Sequence, residues 1–239
     1  MILRDGVFTS TLFEDRPVVH GFTTRILGNL GYGKNPDDPD VTENRRSLFA
    51  RPELEGRTHI QTKQVHSDFV INGNEFTPGR EADAVISANP SHLLSILTAD
   101  CVPILLYHPD GIVAAVHAGW RGLYSDIISK TLAQMPPHPI AVVGPAIGPC
   151  CYEVGEDLAA RFASKMRNHL VTYSGGKPYL NLPGIAVEQL QNGGVEEIEA
   201  AQLCTSCHHD LFFSYRRDGS SGRQMSFIGL MEAANASSL

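Results

Sequence analysis

The feature that most constrains the fold is a pair of apolar runs separated by a turn signal. The runs are "VPILLY" at residues 102–107 and "IVAAVHA" at residues 112–118, and the tetrapeptide His-Pro-Asp-Gly lies between them at residues 108–111. Short apolar runs that contain β-branched residues are typical of buried strands, and Pro-Asp-Gly is typical of a tight turn. The pattern therefore predicts a buried antiparallel β-hairpin.

The predicted hairpin brings two polar side chains together. Cys101 immediately precedes the first run, and His117 lies near the end of the second. Because residues at the open end of a hairpin face each other across the two strands, we expect Cys101 and His117 to be neighbours. His66 lies between two further strand-like segments, in "HIQTKQVHSDFVI" at residues 59–71, and is a third candidate for the same site.

Three interpretations of these side chains are open at this point. Two imidazoles and a thiolate suit zinc or copper(I), and three protein ligands leave a fourth position free, as catalytic zinc sites require. Alternatively, Cys101 is a nucleophile and His117 its general base, with Asp100 or His66 orienting the histidine. The third interpretation makes Cys101 an ordinary core residue, since free cysteines are among the most buried residue types.

The rest of the pattern predicts an α+β protein, a single layered domain over residues 1–239 with mixed, hairpin-rich β-sheets flanked by helices. Further strands are predicted at residues 92–98 and 140–144. Helices are predicted over "ENRRSLFA" at 43–50, preceded by a capping-box spacing from Asp40, and over 123–135 and 156–170. The segment 210–231 predicts two strands joined by an Asp-Gly-Ser-Ser-Gly turn.

Composition argues against several classes of partner. A net charge of -7 argues against nucleic acid, because binding a phosphate backbone needs concentrated Lys and Arg. No stretch approaches the roughly 18 apolar residues of a membrane span, and the N-terminal segment lacks a basic region followed by a long apolar run. We therefore expect a cytoplasmic protein that acts on a small molecule, with no membrane partner.

The five cysteines occur as Cys101, the adjacent Cys150 and Cys151, and the pair Cys204-x-x-Cys207. Without a secretion signal, thiols are more often reduced, catalytic or metal-binding than paired, so we expect no structural disulfide. Cys204-x-x-Cys207 resembles half of a zinc site or a redox dithiol, but no second such pair lies at usable spacing. Cys150 and Cys151 have no ligand spacing and are expected to be incidental.

Two arginines are candidates for binding an anionic substrate. Arg25 and Arg121 lie at the ends of apolar runs, as do Arg216, Arg217 and Arg223, and Arg121 is flanked by glycines in "GWRG". A planar guanidinium matches phosphate or carboxylate with two parallel hydrogen bonds, and nearby glycines let a substrate approach the backbone. The alternative is a solvated surface charge, which is the usual situation of arginine.

Taken together, a set of motifs resembles the polyphenol-oxidase or laccase-domain family, which is described as multi-substrate purine nucleoside phosphorylases. The motifs, in chain order, are "QVHSD" (64–68), "ADAVIS" (82–87), "TADCVPILL" (98–106), "HAGWRG" (117–122), "GPAIGPCCYEVG" (144–155), "LCT" (203–205) and "FFSYRRDGSSGR" (212–223). One segment departs from the family pattern: "TTRILGNLGYGKN" (23–35) lacks the Gly-Gly-x-Ser loop that usually follows Thr-Thr-Arg.

The resemblance implies a mononuclear zinc at the positions of His66, Cys101 and His117. It also implies phosphorolysis of adenosine, inosine, guanosine and methylthioadenosine, with purine nucleosides and phosphate as small-molecule partners, and hydrolytic deamination of adenosine. Copper is less favoured, because a multicopper oxidase needs several His-x-His pairs and none of the 10 histidines stand two apart.

Two rival functions remain open at the level of sequence. A cysteine hydrolase or amidase with a Cys101/His117 dyad, such as an enzyme that edits peptidoglycan precursors, explains the same pair of residues. A non-enzymatic, chaperone-like partner protein would need only the acidic surface. The sequence is compatible with a monomer or a homodimer.

Overall fold

The computed structural model describes residues 1–33, 35–166, 170–219 and 222–231. Two six-stranded sheets dominate it. The first contains, in spatial order, β1 (Ile2–Arg4), β2 (Val7–Thr9), β3 (Val18–Thr23), β14 (Gln224–Leu230), β7 (His92–Thr98) and β4 (Thr58–Ile60). The second contains β13 (Ile198–Ala200), β10 (Ile140–Val143), β8 (Val102–His108), β9 (Ile112–Ala118), β6 (Ala84–Ser87) and β5 (Val70–Asn72).

Helices and a small hairpin complete the described part of the chain. The helices are α1 (Pro39–Phe49), α2 (Trp120–Tyr124), α3 (Ile127–Leu132), α4 (Glu156–Lys165), α5 (Leu182–Asn192) and α6 (Tyr215–Asp218). The hairpin joins β11 (Val171–Ser174) to β12 (Lys177–Leu180). Within these described ranges, no helix is both long and apolar enough to cross a membrane.

The two sheets pack face to face, and the strand period of two divides each central strand between two apolar layers. On β8, Leu105 and Tyr107 point into the layer between the sheets, which also contains Leu94 and Ile228 of the first sheet. Ile104, the neighbour of Leu105, points to the opposite face. That outer face of the second sheet is covered by α3, α4 and α5, while α1 covers the outer face of the first sheet.

The predicted hairpin is confirmed. β8 and β9 pair antiparallel from Val102 opposite Ala118 to His108 opposite Ile112. The turn closes with a hydrogen bond from the Gly111 amide to the His108 carbonyl at 3.0 Å. Gly111 adopts a φ of 77°, which glycine tolerates without steric cost.

Both sheets are mixed, as predicted. β4 runs parallel to β7 in the first sheet, and β5 and β13 run parallel to β6 and β10 in the second, whereas the other pairs are antiparallel. The sheets and the flanking helices confirm the α+β, layered fold class.

The predicted helix boundaries need two corrections. The first helix begins at Pro39 and is capped by Asp38, whose Oδ1 accepts from the Asp40 and Val41 amides, so Asp40 is not the cap. The single helix predicted over 123–135 is wrong. Asp126 adopts a left-handed backbone conformation, with φ at 64°, and divides the segment into α2 and α3.

Two other predicted segments also change. The helix predicted over 156–170 ends at Lys165, and residues 167–169 lie outside the described part of the chain. The strand predicted before the C-terminal turn is wrong, because residues 215–218 form the short helix α6. Its N-cap is Ser214, whose Oγ accepts from the Arg217 amide. Part of the predicted turn, residues 220–221, lies outside the described residues.

Candidate functional site

Three predicted ligands meet at the open end of the β8–β9 hairpin. We call His66, Cys101 and His117 the His–Cys cluster; one ligand atom from each lies within 4.8 Å of the other two. The Cys101 sulfur is 3.8 Å from His66 Nε2, and the two imidazole rings have centroids 4.8 Å apart and are nearly perpendicular. His117 is buried, Cys101 is partly buried and His66 is exposed, so the cluster opens to solvent on the His66 side.

The hairpin register explains why two of these residues are neighbours. His117 pairs with Pro103, and Cys101 lies just before the first residue of β8. His66 comes from the loop between β4 and β5 and has a left-handed φ of 58°. Asp100, before Cys101, has a φ of 92°. Such conformations are uncommon for residues other than glycine and are concentrated at functional sites.

Asp83 holds the cluster together, although the sequence pattern predicts no role for it. Its carboxylate is fully buried just before β6 and accepts a 2.7 Å hydrogen bond from His117 Nδ1. The same carboxylate accepts the backbone amides of Val65, His66 and Ser67. It therefore fixes the His66 loop and directs His117 Nε2 toward Cys101, where it can act as a ligand or base. The sequence feature that indicates a role for Asp83 is an acidic residue within the otherwise apolar motif "ADAVIS".

The charges of the cluster favour a thiolate beside an imidazolium when no metal is bound. Burial acts to raise the pKa of Cys101, but the charge and hydrogen bond of His117, with His66, outweigh burial and lower this pKa to about 6. Burial acts to lower the pKa of His117, but Cys101 and Asp83 raise it to about 9. Asp83 itself has its pKa lowered to about 2, because hydrogen bonds from His117 and Ser67 outweigh its burial.

Gly119 allows the three side chains to approach. A Cβ built on this residue would lie 3.0 Å from the His66 ring and 3.2 Å from the Cys101 sulfur. Any side chain here would therefore push against two of the candidate ligands. The sequence predicts that the glycines of "GWRG" permit a close approach to the backbone. In the structure, the groups that approach Gly119 are the side chains of the His–Cys cluster.

Asp100 does not orient His117, which corrects one element of the cysteine-hydrolase interpretation. Its Oδ1 accepts the Thr205 hydroxyl and its Oδ2 accepts the Arg216 amide, both at 2.7 Å. Its carboxylate thus anchors the 205–216 segment beside the cluster. Asp83 fills the orienting position that the sequence predicts for Asp100 or His66.

Tyr152 and Arg216 also lie beside the cluster. No role is predicted for Tyr152 from the sequence, whereas Arg216 lies at the end of an apolar run, as Arg25 and Arg121 do. Burial raises the pKa of Tyr152 to about 12, and the charges of Cys101 and Asp100 act in the same direction. The Arg216 guanidinium stacks on the Tyr152 ring, 4.8 Å from its centroid. Arg216 has a sequence signal in the Arg-Arg pair that follows "FFSY".

The two predicted anion-binding arginines occupy different surroundings. Arg121 is exposed on α2, stacks 4.3 Å over the Trp120 ring, and its charge acts on Tyr152 beside the cluster. Arg25 donates to the His209 carbonyl at 2.7 Å and packs on the Phe213 ring. The structure thus brings Arg121 toward the His–Cys cluster and Arg25 toward the segment that follows the last cysteine.

A second cluster, made of four cysteine thiols, corrects the expectation for Cys150 and Cys151. We call Cys150, Cys151, Cys204 and Cys207 the four-cysteine cluster; their sulfur atoms all lie within 4.8 Å of one another. All five cysteines of the chain are free thiols, in agreement with the expected absence of a structural disulfide. The expectation that Cys150 and Cys151 are incidental is therefore corrected, because their sulfur atoms lie against those of Cys204 and Cys207.

The fold and the His–Cys cluster together define a class of protein. Its members have two stacked mixed sheets between helical layers, with a His₂Cys group at the open end of a central hairpin. The model of the family described as multi-copper polyphenol oxidoreductase laccase matches residues 20–231. The chain belongs to this family, which confirms the resemblance.

Named relatives agree with this assignment. The chain is 39% identical over 212 residues to the purine nucleoside phosphorylase YfiH of Escherichia coli, covering 85% of this chain and 86% of that protein. It is 38% identical over 230 residues to the purine nucleoside phosphorylase of Deinococcus radiodurans, covering 89% of each. Relatives named as purine nucleoside phosphorylases support the interpretation of this protein as an enzyme.

Solved structures share the fold. The crystal structure of YlmD from Geobacillus stearothermophilus superposes with a TM-score of 0.86 at 29% identity, over 97% of this chain and 98% of that one. The crystal structure of a Neisseria meningitidis protein gives a TM-score of 0.85 at 32% identity, over 95% of this chain and 100% of that one.

Proposed function

We propose that this protein is a zinc-dependent purine nucleoside phosphorylase that acts on adenosine, inosine, guanosine and methylthioadenosine, and that also deaminates adenosine. The single observation that carries the proposal is the 38–39% identity, over 85% or more of the chain, to proteins named as purine nucleoside phosphorylases. The His–Cys cluster supports the proposal independently, because it supplies a place for the chemistry.

The donor set fits zinc. His66, Cys101 and His117 would hold the ion, and the hydrogen bond from His117 Nδ1 to Asp83 directs the other ring nitrogen toward the cluster. Two imidazoles and one thiolate are zinc ligands of the usual types, and three protein ligands are the number found in catalytic sites. Zinc bound there supplies a Lewis acid with an open coordination position.

The protein's own residues have distinct tasks in the proposed reaction. Phosphorolysis requires a phosphate anion to be held near the ribose while the glycosidic bond breaks, and guanidinium groups bind phosphate well. We assign this task to Arg121, beside the cluster, and to Arg25. The stacked pair of Tyr152 and Arg216 presents a flat surface next to Cys101, against which a purine base can lie.

The test incubates metal-analysed protein with adenosine, with and without phosphate, and follows adenine, hypoxanthine and inosine by chromatography. Phosphate-dependent adenine is the expected product of phosphorolysis, and inosine is the expected product of deamination. Absence of all three products contradicts the proposal. Arg121→Lys is the sharper variant, because it retains the charge but loses the planar two-point contact, so we expect a raised KM for phosphate.

A second candidate function rests on a specific observation. The low pKa of Cys101, the raised pKa of His117 and the hydrogen bond from His117 to Asp83 together form a thiolate, an imidazolium and an orienting carboxylate of the kind used by cysteine hydrolases. Metal analysis separates the two candidates. Protein that holds no stoichiometric zinc, yet loses activity when Cys101 is alkylated, favours the hydrolase.

A further inference from the structure

We propose that the four-cysteine cluster is a second metal site, which binds one zinc ion through four thiolates. It is separate from the His–Cys cluster, and it does not depend on the proposed nucleoside chemistry. Cys150 and Cys151 lie in the loop after β10, and Cys204 and Cys207 lie in the loop after β13.

The topology explains how sequence-distant thiols converge. β10 and β13 are parallel neighbours, so their carboxyl ends lie at the same edge of the sheet. The parallel arrangement continues past the strands as a bridge between Ala146 and Cys204, with hydrogen bonds from the Ala146 amide to Leu203 and from the Thr205 amide to Ala146. The two cysteine-bearing loops therefore leave the sheet side by side.

The sulfur positions suit a tetrahedral ion. Zinc–sulfur bonds of about 2.3 Å in a tetrahedron place the sulfurs about 3.8 Å apart. The Cys207 sulfur lies 3.5 Å from that of Cys150 and 3.3 Å from that of Cys151, and all four sulfurs lie within 4.8 Å of one another. Four protein ligands leave no open position, which is the arrangement of structural zinc sites.

The backbone around the cluster is arranged for thiolates. The Gly148 amide donates to the Cys204 sulfur at 3.2 Å, which stabilises negative charge on that sulfur. Gly148 must also be small, because a Cβ there would lie 3.3 Å from the Cys150 sulfur and 3.4 Å from Cys204 Cβ. The loop thus approaches the cluster closely while directing an amide at it.

Two arginines bind carbonyls of the same loops, and Arg217 is also paired with Asp218. A zinc ion with four thiolates carries a net charge of -2. The Arg216 guanidinium donates to the carbonyls of Cys151 and Glu153, and the Arg217 guanidinium donates to those of Thr205 and Ser206. On binding, each thiol gives its proton to solvent and forms a bond to the ion, and nothing is oxidised.

The test is metal content of the purified full chain, measured by mass spectrometry of the elements. We expect two zinc ions per chain in the wild-type protein, one in Cys207→Ser and one in the matched control Cys101→Ser, with almost none in the double variant. A Cys207→Ser variant that keeps the wild-type zinc content overturns the proposal. An intact wild-type mass lower by the hydrogens of one or two disulfides, with no metal at these cysteines, also overturns it.

A measurement on the wild-type chain covers the case in which the variant fails to fold. Cobalt(II) in place of zinc gives a sulfur-to-cobalt charge-transfer absorption that scales with the number of bound thiolates. Occupation of both clusters predicts five thiolates per chain, about fivefold the absorption of Cys101 alone. Absorption equal to one thiolate per chain contradicts the second site. Neither readout depends on activity, so failure of the nucleoside assay leaves this test intact.

Discussion

The His–Cys cluster and the four-cysteine cluster lie at the ends of neighbouring strands of one sheet but differ in their surroundings. In the first, a fully buried carboxylate, Asp83, holds one imidazole and three backbone amides, and the third member of the cluster, His66, is exposed. In the second, only sulfur atoms converge, and the backbone amides of Gly148 and Cys207 donate to the Cys204 sulfur. The first arrangement suits reaction with a ligand from solvent, and the second suits a closed structural role.

The two clusters are joined through Asp100. Its backbone continues into Cys101, and its side chain accepts from Thr205, the residue after Cys204. Asp100 also accepts the Arg216 amide, and Arg216 reaches the loop of Cys151. Order in the four-cysteine loops therefore supports the position of the His–Cys cluster, although the two groups share no ligand.

The largest expected effect separates the clusters by activity. Cys101→Ala should lower the proposed phosphorolysis by on the order of 10³-fold, because it removes a metal ligand and with it several kcal/mol of transition-state stabilisation. The measurement is kcat/KM with adenosine and phosphate. The control is Ser164→Ala, at an exposed position of α4. An unaffected Cys101→Ala enzyme would place the chemistry elsewhere.

The next effect concerns the carboxylate that only the His–Cys cluster possesses. Asp83→Asn keeps the shape but loses the charge, and we expect zinc affinity at this cluster to fall about 10–100-fold. Competition with a chelator measures the affinity. Asp68→Asn is the matched control, since Asp68 is in the same loop region but pairs with Lys130 at the surface. Equal losses in both variants would show that Asp83 acts only through general stability.

The pH dependence of thiol reactivity should also differ between the clusters. In metal-free protein, the pKa of Cys101 at about 6 means that its thiolate is present at pH 7 and is protonated as the pH falls through 6. We expect its alkylation rate to fall about tenfold between pH 7 and pH 5. The contact with Cys151 raises the pKa of Cys207 to about 11, so this thiol should react slowly throughout.

Peptide mapping after alkylation identifies which cysteine has reacted, and Cys101→Ser provides the blank. A Cys101 rate that climbs steadily up to pH 9, as an ordinary thiol does, would contradict the ion pair with His117.

The smallest effect tests the connection between the clusters. Thr205→Val is nearly isosteric and removes the hydroxyl that Asp100 accepts, leaving a buried oxygen without this donor. We expect a loss of about 1–3 kcal/mol in the free energy of unfolding, measured with urea. Zinc content should stay at the wild-type value. Thr172→Val, at an exposed position of β11, is the control.

The difference between the clusters also explains what could be predicted from the sequence. The sequence predicts that Cys101 and His117 are neighbours, because the position of the turn alone fixes which residues of a hairpin face each other. Cys151 and Cys204 are separated by α4, the β11–β12 hairpin and α5, so their proximity depends on the parallel pairing of β10 with β13. Parallel strands that are distant in the sequence produce no characteristic spacing between the cysteines, so the sequence does not predict this cluster.

The remaining differences have the same origin in long-range contacts. Asp83 looked like one polar residue in an apolar strand, because its five donors come from two other segments of the chain. The apolar run "FFSY" suggested a strand, but the Ser214 cap and the Asp100 carboxylate, which holds the Arg216 amide, favour a helical turn. Local propensity is a weak guide where tertiary hydrogen bonds decide the backbone.

The left-handed backbone at His66 and Asp100 has a consequence for the free energy with which the site binds an ion or substrate. Each such conformation costs about 1–3 kcal/mol in a residue other than glycine. The chain bears that cost once, as it folds, through the hydrogen bonds of Asp83 and Thr205. An arriving ion or substrate therefore meets side chains already aimed at it, and none of its binding free energy is consumed in ordering the loop.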